Sequence, residues 1–267
     1  SFVSYPAEIS MAHGVPVPVE TKAHDHFAPD PDAIEKAITP KTKAILINFP
    51  CNPTGATLSG AALKQLAKVA IKHDLLVISD EIYSELTYDE KHVSIATLPG
   101  MRERTIFLHG FSKAFAMTGW RIGYVCAPPD LIAAMKKIHQ YAIMSAPTVS
   151  QEAALEAMRR GESAKEEMRL SYRERRDRFV AGLNEIGLDC LMPHGAFYAF
   201  ASVKRSGLTS EDFAEKLLTD EHVAVIPGSA FGPGGEGFVR CSYATAIGEL
   251  DEALTRIGRF MKKLRVK

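Results

Sequence analysis

The residues best suited to chemistry lie in one short stretch, where a hydroxyl, an amine and a guanidinium follow a strand-like segment. Ser112 and Lys113 come just after the apolar residues 105–108, and Arg121 follows in a Gly-Trp-Arg-Ile-Gly run. A lysine amine can form a Schiff base with an aldehyde, while a hydroxyl and a guanidinium can hold a phosphate. The combination indicates a site for an aldehyde that carries a phosphate, although most lysines in loops are simply solvated.

Three more polar side chains lie just beyond apolar segments. Asn52 follows the apolar run 44–47, and Asp80 ends a second run that begins at residue 75. An Asp carboxylate at the bottom of a cleft can pair with a protonated ring nitrogen, and an Asn amide can bind a phenolate or a carboxylate. Tyr83 lies three residues after Asp80, so its phenol can project to the same side and donate to a ring oxygen. A helix cap at Asp80 and a tight turn at Asn52 are the structural alternatives.

Arg240 stands among apolar and small residues in the segment 238–243, which is typical of a strand. An arginine in such a place needs a partner, and a bidentate carboxylate of a ligand is a good one. An internal ion pair explains the residue equally well. The glycine-rich segment 231–237 before it lacks the Gly-Lys-Ser/Thr of a phosphate-binding P-loop and is interpreted as a flexible loop.

Patterns that suggest other chemistry are weaker. His24 and His26 flank an aspartate, but no third ligand follows at helical spacing, so we expect a solvated loop and no metal site. Ser112 lacks the Gly-x-Ser-x-Gly context of a hydrolase nucleophile. The arginine-rich segment 173–178 is interpreted as a solvated helix face with internal ion pairs.

Composition narrows the class of protein. Among 267 residues, 46% are hydrophobic and 24% charged, with 32 basic and 32 acidic residues, so the net charge is zero. This balance argues against a nucleic acid or a membrane surface as the main partner. No apolar run approaches a membrane span, and no signal pattern opens the chain. The four cysteines are far apart and form no Cys-x-x-Cys pair, which fits a reducing cytoplasm.

The elements that must position these side chains alternate between strands and helices. Helices are predicted after the caps Asp30 and Ser59, and buried strands are predicted at 44–47, 75–78, 105–108 and 122–126. This alternation favours an α/β fold with a largely parallel sheet. Because ligands sit at the carboxyl ends of parallel strands, Asn52, Asp80 and Lys113 are expected to converge.

The rest of the chain predicts a second, smaller domain. Residues 1–5 look like a strand, and 15–20 look like a short edge strand. A long helix is expected at about 149–186, with Gly161 as a candidate break. Beyond it, an α+β pattern predicts strands at 188–191, 197–201, 223–226 and 238–242, with helices at 210–218 and 248–264. We therefore predict a large cofactor-binding domain at 1–148, a bridging helix at 149–186 and a small domain at 187–267.

Five motifs together resemble the class I/II aminotransferases, which are fold-type I pyridoxal-phosphate enzymes. They occur in matching order along the whole chain: Asn-Pro-Thr-Gly (52–55), Ser-Asp-Glu-Ile-Tyr (79–83), Ser-Lys (112–113), Gly-Trp-Arg-Ile-Gly-Tyr (119–124) and Val-Arg-Cys-Ser-Tyr-Ala (239–244). Each motif is weak alone, whereas the ordered set is highly specific. The resemblance implies a three-layer α/β large domain with a mostly parallel sheet, and a smaller α+β C-terminal domain.

The resemblance also implies roles for matching residues. Lys113 corresponds to the Schiff-base lysine that also acts as general base, and Asp80 to the partner of the ring nitrogen of pyridoxal 5'-phosphate. The other positions correspond to ring-oxygen partners (Tyr83 and Asn52), phosphate ligands (Ser112 and Arg121), the aromatic that stacks on the ring (Phe2) and the clamp of the substrate carboxylate (Arg240, with Asn52). The resemblance further implies a cytoplasmic homodimer with the site near the subunit interface. Its substrates would be an amino acid and a 2-oxo acid.

Two departures from the family pattern leave alternatives open. Gly110 stands where the family often has a second phosphate-binding serine, and about a hundred upstream residues of the usual chain are missing before Phe2. A C–S β-lyase of the same fold, an aminotransferase-like effector domain of a transcription regulator, and an inactive fragment are the alternatives to an amino-acid aminotransferase.

Overall fold

The computed structural model describes residues 1–265, which separate into two compact units. The lysine unit, named for Lys113, consists of Pro29–Pro50 and Thr57–Arg169. The arginine unit, named for Arg240, consists of Ser1–Ala28, Cys51–Ala56 and the chain from Leu170 onward. The domain boundaries at residues 148 and 186 rest on changes in the pattern of helices and strands along the sequence. They stay a prediction.

Nine α-helices are found in the described part of the chain. They are α1 (Ser4–Met11), α2 (Pro31–Ala37), α3 (Gly60–Lys72), α4 (Phe111–Ala114), α5 (Pro129–Ala142), α6 (Thr148–Arg160), α7 (Glu162–Ile186), α8 (Ser210–Glu221) and α9 (Ile247–Arg265). The predicted caps are confirmed, because the Asp30 carboxylate accepts from the Asp32 amide and the Ser59 hydroxyl accepts from the Ala62 amide. Each cap satisfies a backbone donor that has no partner inside its helix.

The lysine unit is built on a four-stranded sheet in the order β1-β2-β3-β4. The strands are β1 (Ala44–Asn48), β2 (Leu76–Asp80), β3 (Thr105–Gly110) and β4 (Gly123–Cys126). The first three are parallel and β4 runs antiparallel to β3. The prediction of an α/β fold with a mostly parallel sheet is confirmed.

The strand register determines which polar residues meet. Asn48 lies opposite Asp80, and Asp80 in turn lies opposite Leu108 on β3. The carboxyl ends of three parallel strands therefore lie side by side, with α4 following β3 at once. The expectation of buried strands was wrong for β4, whose four residues are all exposed. It holds only in part for β1, β2 and β3, which mix buried with half-buried residues.

Gly161 breaks the predicted long helix into α6 and α7. A Cβ at this position would lie 2.5 Å from the Ala157 carbonyl oxygen and 2.9 Å from the Phe115 ring. Any larger residue would therefore displace backbone or an aromatic side chain. The close approach explains the glycine.

The arginine unit contains a three-stranded antiparallel sheet in the order β5-β7-β6. Its strands are β5 (Tyr198–Ser202), β6 (Ile226–Pro227) and β7 (Phe238–Ser242). Arg240 lies on the central strand, β7, opposite Phe200 of β5 and Ile226 of β6. The smaller antiparallel sheet agrees with the predicted α+β part of the chain.

Four predicted strands were wrong in whole or in part. Residues 1–5 lead into α1, and residues 15–20 are irregular because Pro16 and Pro18 lack the amide donors of a ladder. The segment 188–191 makes a single bridge, between Cys190 and Ala201, and 223–226 contributes only its last residue to β6. Short apolar runs do not become strands unless tertiary contacts offer them a partner.

The arginine-rich part of α7 is only partly a solvated face. Arg178 makes an ion pair with Asp251 of α9 at 2.6 Å, as internal pairing predicts. Arg176 is buried instead, where its guanidinium contacts Asp177 at 2.7 Å and donates to the Pro193 carbonyl. The prediction of full solvation was therefore wrong for Arg176.

Glu221 at the end of α8 anchors α9 through a buried carboxylate. Its oxygens accept from Arg259 at 2.6 Å and from Lys263 at 2.8 Å. The two cations lower the pKa of Glu221 from 4.5 to about 2. The ion-pair contribution to stability is thus fully present above pH 4.5 and is lost as the pH falls towards 2.

We expect Glu221→Gln to lower the free energy of unfolding at neutral pH and to flatten its dependence on pH below 4.5. Urea unfolding at a series of pH values tests this result. The exposed Glu215 of the same helix provides the control, Glu215→Gln. A difference from the wild type that persists unchanged down to pH 2 would contradict the assignment.

In the part of the chain that the structure describes, no helix combines the length and the apolar character needed to cross a bilayer.

Candidate active site

Lys113 lies on α4, the single helical turn that directly follows β3, rather than in an open loop. The turn is held by Phe111 and Ala114, which are both buried. Phe111 packs with Met117 and with Ala154 of α6 in one apolar cluster. Packing of the neighbours therefore positions the lysine backbone, while its half-buried side chain remains accessible to a ligand.

Ser112 and Arg121 belong to one hydrogen-bonded loop. The Arg121 guanidinium donates to the Thr118 carbonyl at 3.0 Å, and the Thr118 hydroxyl donates to the Ser112 carbonyl at 3.0 Å. Arg121 has a positive φ of 52°, which turns the chain sharply before β4. The loop thus links the hydroxyl-bearing and guanidinium-bearing residues that the sequence predicted as phosphate ligands.

Close packing of two strands explains why a glycine occupies position 110. It lies opposite Gly123 across the β3–β4 pair, and a Cβ on it would come within 3.2 Å of the Gly123 Cα and the Ile122 carbonyl oxygen. A serine would crowd this crossing. The departure from the family pattern therefore accompanies a close approach of two strands.

Asp80 ends β2 and Tyr83 lies in the turn that follows. The Asp80 carboxylate accepts from the Ile82 amide at 3.0 Å, and the Asn48 amide donates to the Asp80 carbonyl at 3.0 Å. Residues 81–84 form a hydrogen-bonded turn rather than a helix, so the alternative of a helix cap at Asp80 is not borne out. The Lys113 ammonium nitrogen lies 6.0 Å from the centroid of the buried Tyr83 ring, which brings amine and phenol together.

Sequence reasoning missed the buried carboxylate of Glu81, between Asp80 and Tyr83. It accepts from Ser79 at 2.8 Å and from Ser94 at 2.7 Å, and it lies 2.5 Å from the His92 imidazole. Three partners on one buried carboxylate hold the turn in a single arrangement. No local spacing connects Glu81 with His92 and Ser94, so sequence patterns provide no signal for this cluster.

His109 of β3 is a second residue that the sequence did not single out. Its Nε2 lies 2.9 Å from the Ser84 hydroxyl, and its ring stacks on Phe107 with an interplanar angle of 2°. Burial lowers the pKa of His109, against the opposing effect of nearby carboxylates, Glu85 foremost. The imidazole is thus kept uncharged at neutral pH and adds no positive charge near Asp80.

Arg240 is the centre of the second set of predicted residues. Its guanidinium donates to the Asn52 side-chain oxygen at 2.8 Å and lies 4.5 Å from the Tyr198 ring centroid. Among the described residues it makes no ion pair, so the structure does not bear out the internal-pair alternative. Asn52 is buried in the Asn-Pro-Thr-Gly turn, in agreement with the predicted tight turn.

Phe2 is half-buried just before α1, and its ring meets Tyr5 edge-on with the centroids 5.7 Å apart. The eight predicted residues thus form two sets. The lysine unit holds Asp80, Tyr83, Ser112, Lys113 and Arg121, and the arginine unit holds Phe2, Asn52 and Arg240.

The residues of the lysine unit fit pyridoxal phosphate. An amine, a phenol and a carboxylate gather at the carboxyl ends of adjacent strands, and a hydroxyl and a guanidinium share the next loop. These groups match the aldehyde, ring oxygen, ring nitrogen and phosphate of that molecule. No cluster of three metal-ligating side chains occurs within residues 1–265.

Comparison with known proteins identifies the family of the chain. The model of "Aminotransferase class I and II" matches residues 1–257. The chain is 58% identical to a putative aminotransferase, YugH, of Bacillus subtilis, over 98% of this chain and 68% of that protein. It is 48% identical to an aspartate aminotransferase of Pyrococcus abyssi, over 100% of this chain and 69% of the relative.

A solved structure is similar throughout. The aromatic aminotransferase of Pyrococcus horikoshii superimposes with a TM-score of 0.98 at 47% identity, over 100% of this chain and 72% of that one. The extent of the family match and the identity to named relatives give the same assignment. This chain belongs to the class I and II aminotransferases.

Proposed function

We propose that Lys113, Asp80 and Tyr83 carry the catalysis of this aminotransferase, which uses pyridoxal 5'-phosphate to move an amino group between an amino acid and a 2-oxo acid. The observation that carries this assignment is the 6.0 Å approach of the Lys113 amine to the Tyr83 ring, at the strand ends where Asp80 lies. When bound, the cofactor draws electrons from the amino acid as its Cα proton leaves.

Lys113 has two tasks in this proposal. Its amine would hold the cofactor covalently through the aldehyde, and once released it would accept the Cα proton of the amino acid and return it. Such a base must be uncharged when it accepts the proton. Packing of α4 keeps the lysine close to Tyr83, whose phenol would bind the ring oxygen of the cofactor.

The Asp80 carboxylate would pair with the ring nitrogen of the cofactor and would favour its protonated form. Its carboxylate is oriented by the Ile82 amide, and its backbone is held by Asn48. The contacts of the buried Glu81 with Ser79, His92 and Ser94 support the turn that carries Tyr83 next to Asp80. The arrangement therefore preserves the geometry of both ring contacts.

The remaining predicted residues are assigned to binding the cofactor and orienting the substrate. Ser112 and Arg121 are assigned to the phosphate, because a hydroxyl and a guanidinium on one braced loop suit a phosphate dianion. Phe2 is assigned to stacking on the ring. Arg240 and Asn52 are assigned to the substrate carboxylate, since the guanidinium has a neutral partner and no carboxylate of its own among the described residues.

A single-turnover screen tests the function. The full protein with bound cofactor is mixed with individual amino acids, including aspartate and phenylalanine, while its visible absorbance is followed. Loss of the visible band with one amino acid, and its return on addition of a 2-oxo acid, is the expected result. A band that no amino acid changes would contradict amino transfer.

The β-lyase and regulator alternatives have no supporting observation, since the relatives named above are aminotransferases.

We also propose that the protein forms a homodimer with the site near the subunit interface. Large apolar side chains are exposed on β4 and α5, with Ile138 at 72% and Tyr141 at 94% of full exposure. Sedimentation of the full protein is expected to give twice the mass of the chain, and Tyr141→Glu is expected to shift it towards the monomer. A wild-type monomer at micromolar concentration would contradict the proposal.

A cytoplasmic location is proposed from the cysteines. Cys51, Cys126, Cys190 and Cys241 all carry thiols rather than disulfides, which suits a reducing compartment. Burial raises the pKa of Cys190 and Cys241 to about 12, so these two thiols stay protonated and unreactive. Cell fractionation tests the location.

A further inference from the structure

The Arg240 guanidinium lies over two aromatic rings. Its central carbon is 4.5 Å from the Tyr198 centroid and 5.0 Å from the Phe231 centroid. Both distances are inside the range, about 6 Å, in which a cation is attracted by the face of a ring. The two rings come from different elements, since Tyr198 lies on β5 and Phe231 ends a 3₁₀ turn.

Both rings are themselves held in place. Tyr198 is buried and its ring lies 4.7 Å from that of Phe197. Phe231 meets Phe200 edge-on at 6.3 Å, and Phe200 stacks on Phe238 at 5.0 Å. The rings therefore form a rigid support rather than two mobile side chains resting on a cation.

The third support of Arg240 is Asn52, which accepts a hydrogen bond from Nη1 at 2.8 Å. Within residues 1–265 no other group accepts from the guanidinium, although an arginine side chain has five N–H donors. Asn52, Tyr198 and Phe231 are all neutral. Arg240 is thus oriented without any carboxylate that would compensate its charge.

We propose that Tyr198 and Phe231 are positioning residues that, with Asn52, orient the Arg240 guanidinium for a substrate carboxylate while leaving its charge uncompensated. An internal carboxylate would orient the guanidinium equally well but would compete with the substrate for the same N–H groups. Aromatic faces attract the cation and leave the edge of its plane, where the donors point, to the ligand. The inference rests on the proposed clamp role of Arg240.

Direct binding of carboxylates to the holoenzyme measures this role apart from turnover. The probes are succinate and 3-phenylpropionate, which carry carboxylates but no amino group, and the readout is the Kd from calorimetry. Tyr198→Leu and Phe231→Leu are each expected to raise the Kd of both probes by about 3- to 30-fold, because each removes one cation–π support. Tyr198→Phe keeps the ring and is expected to change the Kd by less than about twofold.

A second set of variants, built on Arg240→Gln, distinguishes a positioning role of the rings from a general loss of structure. In Arg240→Gln there is no cation for the rings to hold, so adding Phe231→Leu is expected to change the Kd by less than about twofold. Phe231 is half-buried on a turn, so we expect Phe231→Leu to fold. This variant tests the positioning role even if Tyr198→Leu does not fold. Thermal unfolding of each variant provides the folding control.

The outcomes distinguish the two proposals. If Arg240→Gln binds both probes as the wild type does, the clamp assignment itself is wrong. If Arg240→Gln weakens binding but Phe231→Leu does not, the positioning role is overturned. The positioning role is also overturned if Phe231→Leu weakens binding equally with and without Arg240, because its effect would then not pass through the guanidinium.

Discussion

Lys113→Ala is expected to lower kcat for amino transfer by about 10,000-fold or more, because one substitution removes both roles proposed for this lysine, the covalent attachment of the cofactor and the transfer of the Cα proton. The visible absorbance of the lysine-bound cofactor should disappear at the same time. Stopped-flow single turnovers and the absorption spectrum of the purified protein measure the two effects.

Two variants sharpen the test of Lys113. Lys113→Arg keeps the positive charge but cannot accept a proton near neutral pH, so it is expected to be as inactive as Lys113→Ala. Lys68 is exposed on α3, and Lys68→Ala is the matched control, for which wild-type activity is expected. An unchanged spectrum in Lys113→Ala saturated with pyridoxal phosphate would remove this lysine from the site.

Asp80→Asn is expected to lower kcat by about 100- to 10,000-fold while the KM for the amino acid changes little. The substitution preserves shape and the acceptor for the Ile82 amide, but it removes the negative charge that is proposed to hold a proton on the ring nitrogen. The fold should survive, since the Asn48 amide donates to the backbone carbonyl of residue 80, and the substitution keeps that group. Steady-state kinetics with a thermal melt measure both expectations.

Asp130→Asn is the control for Asp80→Asn, because Asp130 is an exposed carboxylate at the start of α5. Asp80→Glu retains the charge at a displaced position and should recover part of the lost activity. Equal rates for Asp80→Asn and the wild type would show that the carboxylate is not the partner of the ring nitrogen.

The expected effects at Lys113 and Asp80 both follow from features that are readable in the chain. Runs of apolar residues located β1, β2 and β3, because strands buried in parallel sheets need continuous hydrophobic sequence. Capping residues located the starts of α2 and α3, because an N-cap bond is local. Motif order along the chain was sufficient for the family.

Local patterns failed where a partner was needed from elsewhere in the chain. Residues 1–5 and 15–20 have strand-like composition, but no neighbouring strand pairs with them in the described chain. The buried Arg176 looked solvated because one of its acceptors, the Pro193 carbonyl, lies 17 residues away. Burial of a charge depends on such distant acceptors, which composition does not reveal.

The amino-acid order of this chain was enough to predict the parallel sheet and the class of cofactor, and to propose the reacting groups, because strand periodicity, caps and motif spacing are local properties. The three-dimensional fold was needed to reveal the neutral support of Arg240 and the buried Glu81 cluster. Asn52 and Arg240 are 188 residues apart, and Glu81 meets His92 and Ser94 only after the chain turns back. Contacts of that kind arise from tertiary packing, which brings distant residues together in ways no short sequence pattern encodes.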